Sequence, residues 1–288
     1  MTAEGIHDMT AEDYHSGATD EPSLSASIAK ILLQQSPLHD WYAHPRLNPQ
    51  YEPTHTDRFD LGTAAHALLL EGERFSERVA TIDAADWRTN AAKTHKAAAR
   101  EAGYVPLLES DWRRVIEMVN AVRDQLSARD DDPPLFADGK PEQTLIWREN
   151  GVLCRARLDW LHDDLRTVDD LKTSGQSANP VDYSRRTFWS IGADVQARFY
   201  ARGIKALTGD YPAFRFCVIE TTAPFCLSVL DLAPSTVELA DQKIDRALEL
   251  WKRCLESGEF PGYPSGIASV EVTWQEADHL ARHWEAAA

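Results

Sequence analysis

Two segments decide the fold: Arg155-Ala-Arg157-Leu-Asp159-Trp160 and, after a short break, Arg166-Thr-Val-Asp-Asp170-Leu-Lys172. Side chains alternate in character through both, so each reads as a β-strand, and the turn His162-Asp163-Asp164 between them makes the pair antiparallel. Period-two alternation places Cys154, Ala156, Leu158 and Trp160 on one face and Arg155, Arg157 and Asp159 on the other. On the following strand Asp170 and Lys172 share a face and Leu171 points opposite. The hairpin then brings two carboxylates and an ammonium to one patch of sheet. Like charges that close repel unless a proton or cation lies between them, and an oxygen-rich pair suits a hard divalent ion such as Mg²⁺ or Mn²⁺. The same residues also read as an Asp–Lys ladder on a solvated face, and spacing alone leaves both readings open.

Upstream, Glu142–Trp147 reads as a strand joined to Val152–Trp160 through Glu149-Asn150-Gly151, which completes an antiparallel meander. Residues 88–102 and 111–128 carry helical spacing, as does Phe59 to Glu71, a small-residue helix that carries His66. An N-capped helix begins at Ser23 and stops near Pro37, followed by a connection through Trp41, Tyr42, Pro45, Pro49 and Pro53. Downstream, the helix from Phe188 to Leu207 has Ile191, Val195 and Phe199 on its apolar stripe. Gln196 and Tyr200 sit at the rim of that stripe. Strands Phe214–Glu220 and Phe225–Asp231 and a helix from Ser235 to Leu255 complete an order of α, βββ, α, ββ, α. This is a mixed α/β core, read as one elaborated domain over 22–288.

Of the 288 residues, 30 are Lys or Arg and 46 are Asp or Glu, a formal charge of −16. Such a balance excludes a protein that coats phosphate through a broad basic face, but leaves room for a local basic cleft. Glu4, Asp8, Glu12, Asp13, Asp20 and Glu21 precede the first base, Lys30, so residues 1–21 read as an acidic, solvated, disordered tail. The longest apolar run, near Ala64–Leu70, is too short to span a bilayer, and the start lacks a signal-peptide pattern. A cytoplasmic protein with no membrane contact is expected. Cys154, Cys217, Cys226 and Cys254 form no CxxC pair, so neither an iron–sulfur cluster nor disulfide staples are expected. No Walker-type loop is present, and no nucleotide cofactor is expected.

Taken in order, Gly62-Thr-Ala-Ala-His66, Arg157-Leu-Asp159, Asp170-Leu-Lys172-Thr and Gln196-Ala-Arg-Phe-Tyr200 resemble the RecE-type exonucleases. These exodeoxyribonuclease VIII-like enzymes of phage and prophage recombination belong to the RecB-like branch of the PD-(D/E)XK superfamily. The likeness extends to Leu24-Ser-Ala-Ser, Pro141–Trp147, Glu220–Phe225 and Gly258–Tyr263, covering roughly residues 22–275. The resemblance implies a restriction-endonuclease-like core, with a central mixed sheet and antiparallel meander flanked by helices. It further implies metal-dependent hydrolysis of phosphodiester bonds in linear double-stranded DNA, with resection of the 5′ strand to leave 3′ overhangs for single-strand annealing.

On this reading His66, Asp159, Asp170 and the backbone carbonyl of Leu171 hold one or two Mg²⁺ or Mn²⁺ ions, and Lys172 orients or deprotonates the attacking water. Gln196 and Tyr200 orient substrate or the lysine, and Glu142 is an outer ligand. Arg155, Arg157, Arg185, Arg186 and Arg198 are the candidates for phosphate contacts. Relatives form ring-like homo-oligomers and work with a RecT-type single-strand annealing protein. The competing class is a catalytically silent acidic scaffold, a DNA mimic or docking protein on a nuclease fold.

Overall fold

The computed structural model describes residues 3–51, 57–72, 77–267 and 269–272. Pro53 of the expected connection and the end of the expected domain from residue 273 lie outside these.

Six strands form one sheet in the order β1 (Gly5–Asp8), β4 (Gly139–Glu149), β5 (Val152–His162), β6 (Thr167–Ser174), β7 (Ala213–Glu220) and β8 (Leu227–Leu230). All neighbours are antiparallel except β6 and β7, which run parallel. That parallel step requires a crossover, supplied by α7 (Pro180–Tyr183), a π-helical turn (Ser184–Phe188), α8 (Trp189–Ile191) and α9 (Ala193–Thr208). The long helix expected over 188–207 is therefore broken. Gly192 adopts φ +69, where a Cβ would be strained, and it separates α8 from α9.

The strand period assigns the faces. On β7, Phe214, Phe216 and Val218 enter a core with Cys154, Ala156 and Leu158 of β5, Val195 and Phe199 of α9, α2 (Ala26–Gln34) and α10 (Pro234–Ser257). Cys217 and Ile219 point the other way, to Leu171 of β6, Ala65 of α4 (Asp57–Leu70) and Met118 and Val122 of α6 (Glu109–Ser127). The fold is thus a mixed α/β core with helices on both sheet faces. A short parallel pair, β2 (Val79–Ile82) and β3 (Val105–Leu108), lies beside α4 and α6, with α5 (Asn90–Glu101) between its strands in sequence.

Two sequence expectations change. The acidic start is not a solvated tail: β1 pairs with the outer edge of β4, from Gly5 against Ile146 to Asp8 against Gln143, and α1 (Ala11–Gly17) buries Tyr14. Edge pairing gives the segment a hydrogen-bond ladder that its composition conceals. Trp160, expected beside Leu158, instead meets Phe136 and donates its indole N–H to the Ala137 carbonyl at 3.2 Å, while Leu161 enters the core of Leu158. The change falls where pairing with β4 is interrupted: Glu142, between the paired positions Gln143↔Leu158 and Pro141↔Trp160, takes a left-handed φ of +58.

Candidate active site

Strands β5 and β6 pair only at Trp160↔Asp169 and Leu161↔Val168. Past that point the ladder opens, and side chains satisfy the polar groups of the Leu171 peptide that the ladder no longer pairs. Its N–H donates to Asp159 Oδ2 at 2.7 Å, and its carbonyl accepts from His66 Nε2 at 3.0 Å. The Leu171 side chain, packed with Ala65 on α4, anchors that peptide from the far face. A close approach of α4 to β6 makes this possible: a Cβ on Gly62 would already touch Thr173 Oγ1 at 3.4 Å.

His66 Nε2 also lies 3.2 Å from Asp159 Oδ2, and its Nδ1 lies 3.8 Å from Glu142 Oε1. The other carboxylate oxygen of Glu142 accepts from Arg157 Nε at 2.6 Å. Burial alone would lower the His66 imidazole, but the Asp159 charge, with Glu142 and the Leu171 carbonyl, overrides it and lifts the group to about 9. The Glu142 carboxyl is held below its usual range, since His66 and Arg157 together outweigh the cost of burial.

Asp170 and Lys172 lie on the α9 side of β6. They form an ion pair, and the second oxygen of Asp170 accepts from Gln196 Nε2 at 2.7 Å. Burial first, and the nearby Asp159 charge second, raise the Asp170 carboxyl to about 7. Burial works against the charged Lys172, yet Asp170 and Asp159 together raise it. Tyr200 is buried deeply enough to push its hydroxyl well above the usual range, and its ring meets Phe214.

Among the described residues, His66, Glu142 and Asp159 present ligand atoms within 4.8 Å of one another, and Asp170 is outside that group. Glu142, expected as an outer ligand, is one of the three. Its left-handed backbone turns the carboxylate toward His66 and Asp159, whereas both oxygens of Asp170 are taken by Lys172 and Gln196. Once His66 gives up its proton, its imidazole, the two carboxylates and the Leu171 carbonyl form an oxygen-rich donor set, which fits Mg²⁺ or Mn²⁺.

The arginines divide. Arg155 is buried and donates to Ser23 Oγ at 2.9 Å; Arg157 holds Glu142 and the Met9 carbonyl; Arg198 pairs with Asp241 at 2.8 Å and stacks on Tyr211. These three candidates for phosphate contact each have a partner within the protein. Arg185 and Arg186 are exposed on the π-helical turn.

Two residues near the site had no sequence signal. Tyr183 is buried within reach of the Lys172 and Asp170 charges. Asp169, next to Asp170 but on the opposite face, accepts from Arg215 at 2.6 and 3.0 Å, from the Phe136 N–H at 2.9 Å, and meets His162 at 2.8 Å.

A search of curated proteins finds no match. Among solved structures, the crystal structure of a "putative exonuclease" from Eubacterium rectale aligns with a TM-score of 0.59 at 12% identity, over 94% of this chain and 98% of that one. The crystal structure of SSO0001 aligns with a TM-score of only 0.32 at 12% identity, over 88% and 93%. Residues 25–272 match the family described as the PDDEXK-like domain of unknown function, DUF3799. With the opened β5–β6 ladder and the D-x-K strand in place, that match makes the chain a member of the DUF3799 family of PDDEXK-like domains.

Proposed function

We propose that the chain is a metal-dependent exodeoxyribonuclease of RecE type, degrading linear double-stranded DNA from an end. The observation that carries the reading is the opened ladder. It gathers His66, Glu142, Asp159 and the Leu171 carbonyl around one point, with Lys172 on the next residue of the same strand. A divalent ion bound there would lower the pKa of a bound water and offset charge building on the phosphate.

The protein's own groups set up the rest. Lys172, cationic and aimed by Asp170, orients the attacking water or steadies charge on the phosphoryl oxygens. Gln196 fixes the Asp170 carboxylate from α9, and half-buried Tyr200, one turn on, supports the same helix face. Water adds to phosphorus, the bond to the leaving sugar oxygen breaks, and that oxygen takes up a proton. The finer features rest on the sequence resemblance alone: 5′-strand resection to 3′ overhangs, a ring-like homo-oligomer, a RecT-type partner and a place in the bacterial cytoplasm.

The test is a time course on end-labelled linear and on covalently closed circular DNA with Mg²⁺ or Mn²⁺. Loss of the linear form alone, stopped by EDTA and by Asp170→Ala or Lys172→Ala, is expected. Cutting of circles would make it an endonuclease, and inert binding would favour the scaffold reading.

A further inference from the structure

The crossover from β6 to α9 begins and ends at the site, since Tyr183 faces Lys172 and Asp170 and Gln196 holds Asp170. The stretch between them carries an exposed aromatic amid cations. Trp189 is 42% exposed, whereas its neighbour Phe188 is buried against Phe216. Lys243 of α10 sets its ammonium 5.1 Å from the Trp189 ring centroid and pairs with Asp194 at 2.6 Å. Next to it lies a notch of about 210 Å³ lined by Lys30, Gly192, Val195 and Lys243 among others. Lys30 reaches over Gly192 so closely that a Cβ there would lie 3.0 Å from its side chain. Lys30, Arg185 and Arg186 have no carboxylate partner among the described residues. Asp194, which also lines the notch, is held by Lys243, and Asp182 is exposed on α7. In a chain of net charge −16, Lys243 beside the open indole, Lys30 on the notch they share with Gly192, and Arg185 and Arg186 on the turn that precedes Trp189 are a local gathering of cations.

A single nucleic-acid strand offers the matching chemistry, flat bases that stack and phosphates spaced along a backbone. We propose that Trp189, the Lys30–Lys243 notch and the flanking Arg185 and Arg186 hold single-stranded DNA continuous with the strand in the site. One base stacks on the indole and the neighbouring phosphates lie on the cations. The inference rests on the nuclease reading and adds the surface that grips the separated strand.

The experiment measures anisotropy of a fluorescein-labelled oligothymidine of roughly 12 nucleotides, within the usual reach of such surfaces. It uses the full chain in EDTA, so that nothing is digested. Trp189→Ala is expected to weaken binding about tenfold and Trp189→Phe no more than about threefold, since a phenyl ring still stacks. Lys30→Gln is expected to reduce the slope of log affinity against log salt by about one. Unchanged affinity and salt slope in folded Trp189→Ala and Lys30→Gln, or binding of duplex alone, would overturn the proposal. Digestion of linear duplex by the wild type with Mn²⁺ is measured in parallel. If it proceeds while the variants bind normally, only this inference falls; if it never occurs, the nuclease reading fails and takes the inference with it.

Discussion

Asp169 and Asp170 are neighbours in sequence, and their removal should have opposite consequences. Asp169 is fully buried and serves two of the three Arg215 guanidinium nitrogens, His162 and the Phe136 N–H. Asp169→Ala leaves the Arg215 guanidinium, only 14% exposed, without its carboxylate. Removing one partner from a buried pair costs about 3–5 kcal/mol. At roughly 2–4 °C per kcal/mol for a chain of this size, the melting temperature should fall by about 10 °C. Asp170 is as buried, but it stands near the like charge of Asp159, and Lys172 retains a path to solvent at 20% exposure. Asp170→Asn keeps an acceptor for Gln196 and relieves that repulsion, so its stability should stay within about 1 kcal/mol of wild type while hydrolysis is lost. Urea titrations followed by circular dichroism, with digestion of linear DNA measured well below each midpoint, separate the two. The reasoning fails if Asp169→Ala unfolds within about 0.5 kcal/mol of wild type, or if folded Asp169→Ala loses activity as completely as Asp170→Asn.

Gly203 faces Trp147, and a Cβ there would lie 2.9 Å from the fully buried ring. Gly203→Ala gains about 1 kcal/mol of helix propensity but loses more to overpacking, so calorimetry should show a lower melting temperature despite the better helix former. Asp40 is buried with neither carboxylate oxygen hydrogen-bonded among the described residues, and burial raises it from 3.8 to about 8. Its contribution is most favourable below the unfolded value of 3.8 and is lost as pH rises toward about 8, so Asp40→Asn should gain on wild type by up to about 1.4 kcal/mol per pH unit between pH 5 and 7. A pH-independent difference in urea midpoints would contradict this. Glu142→Ala should weaken Mn²⁺ binding, read by calorimetry, by at least about tenfold; an unchanged affinity would remove Glu142 from the ion-binding set.

Much of this architecture was legible because it is written in local periods. The alternation of β5, β6 and β7 and the stripe of α9 placed Asp159, Asp170, Lys172 and Gln196 on their elements without reference to the rest of the chain. What was illegible depends on contacts distant in sequence. β1 has four residues and a weak pattern, and its order comes from the open edge of β4. Arg157 reads as a free cation until Met9 and Glu142 are brought to it, and Arg198 until α10 supplies Asp241. Trp160 lies off the face that alternation predicts, since alternation presumes an unbroken pleat and nothing in the residue type Glu142 announces a left-handed backbone. Asp169 escaped notice since a D-x-K pattern gives its preceding acid no separate signature.

With just two residue pairs joining β5 to β6, the molecule is organised as two leaves, β1-β4-β5 and β6-β7-β8, meeting along a narrow spine. His66 and Asp159 act as clasps across the gap, one fastened to the carbonyl and the other to the N–H of the same residue, Leu171. Whatever loosens either clasp also changes how far the leaves spread, so the width of the opening and the hold on an ion are one mechanical variable.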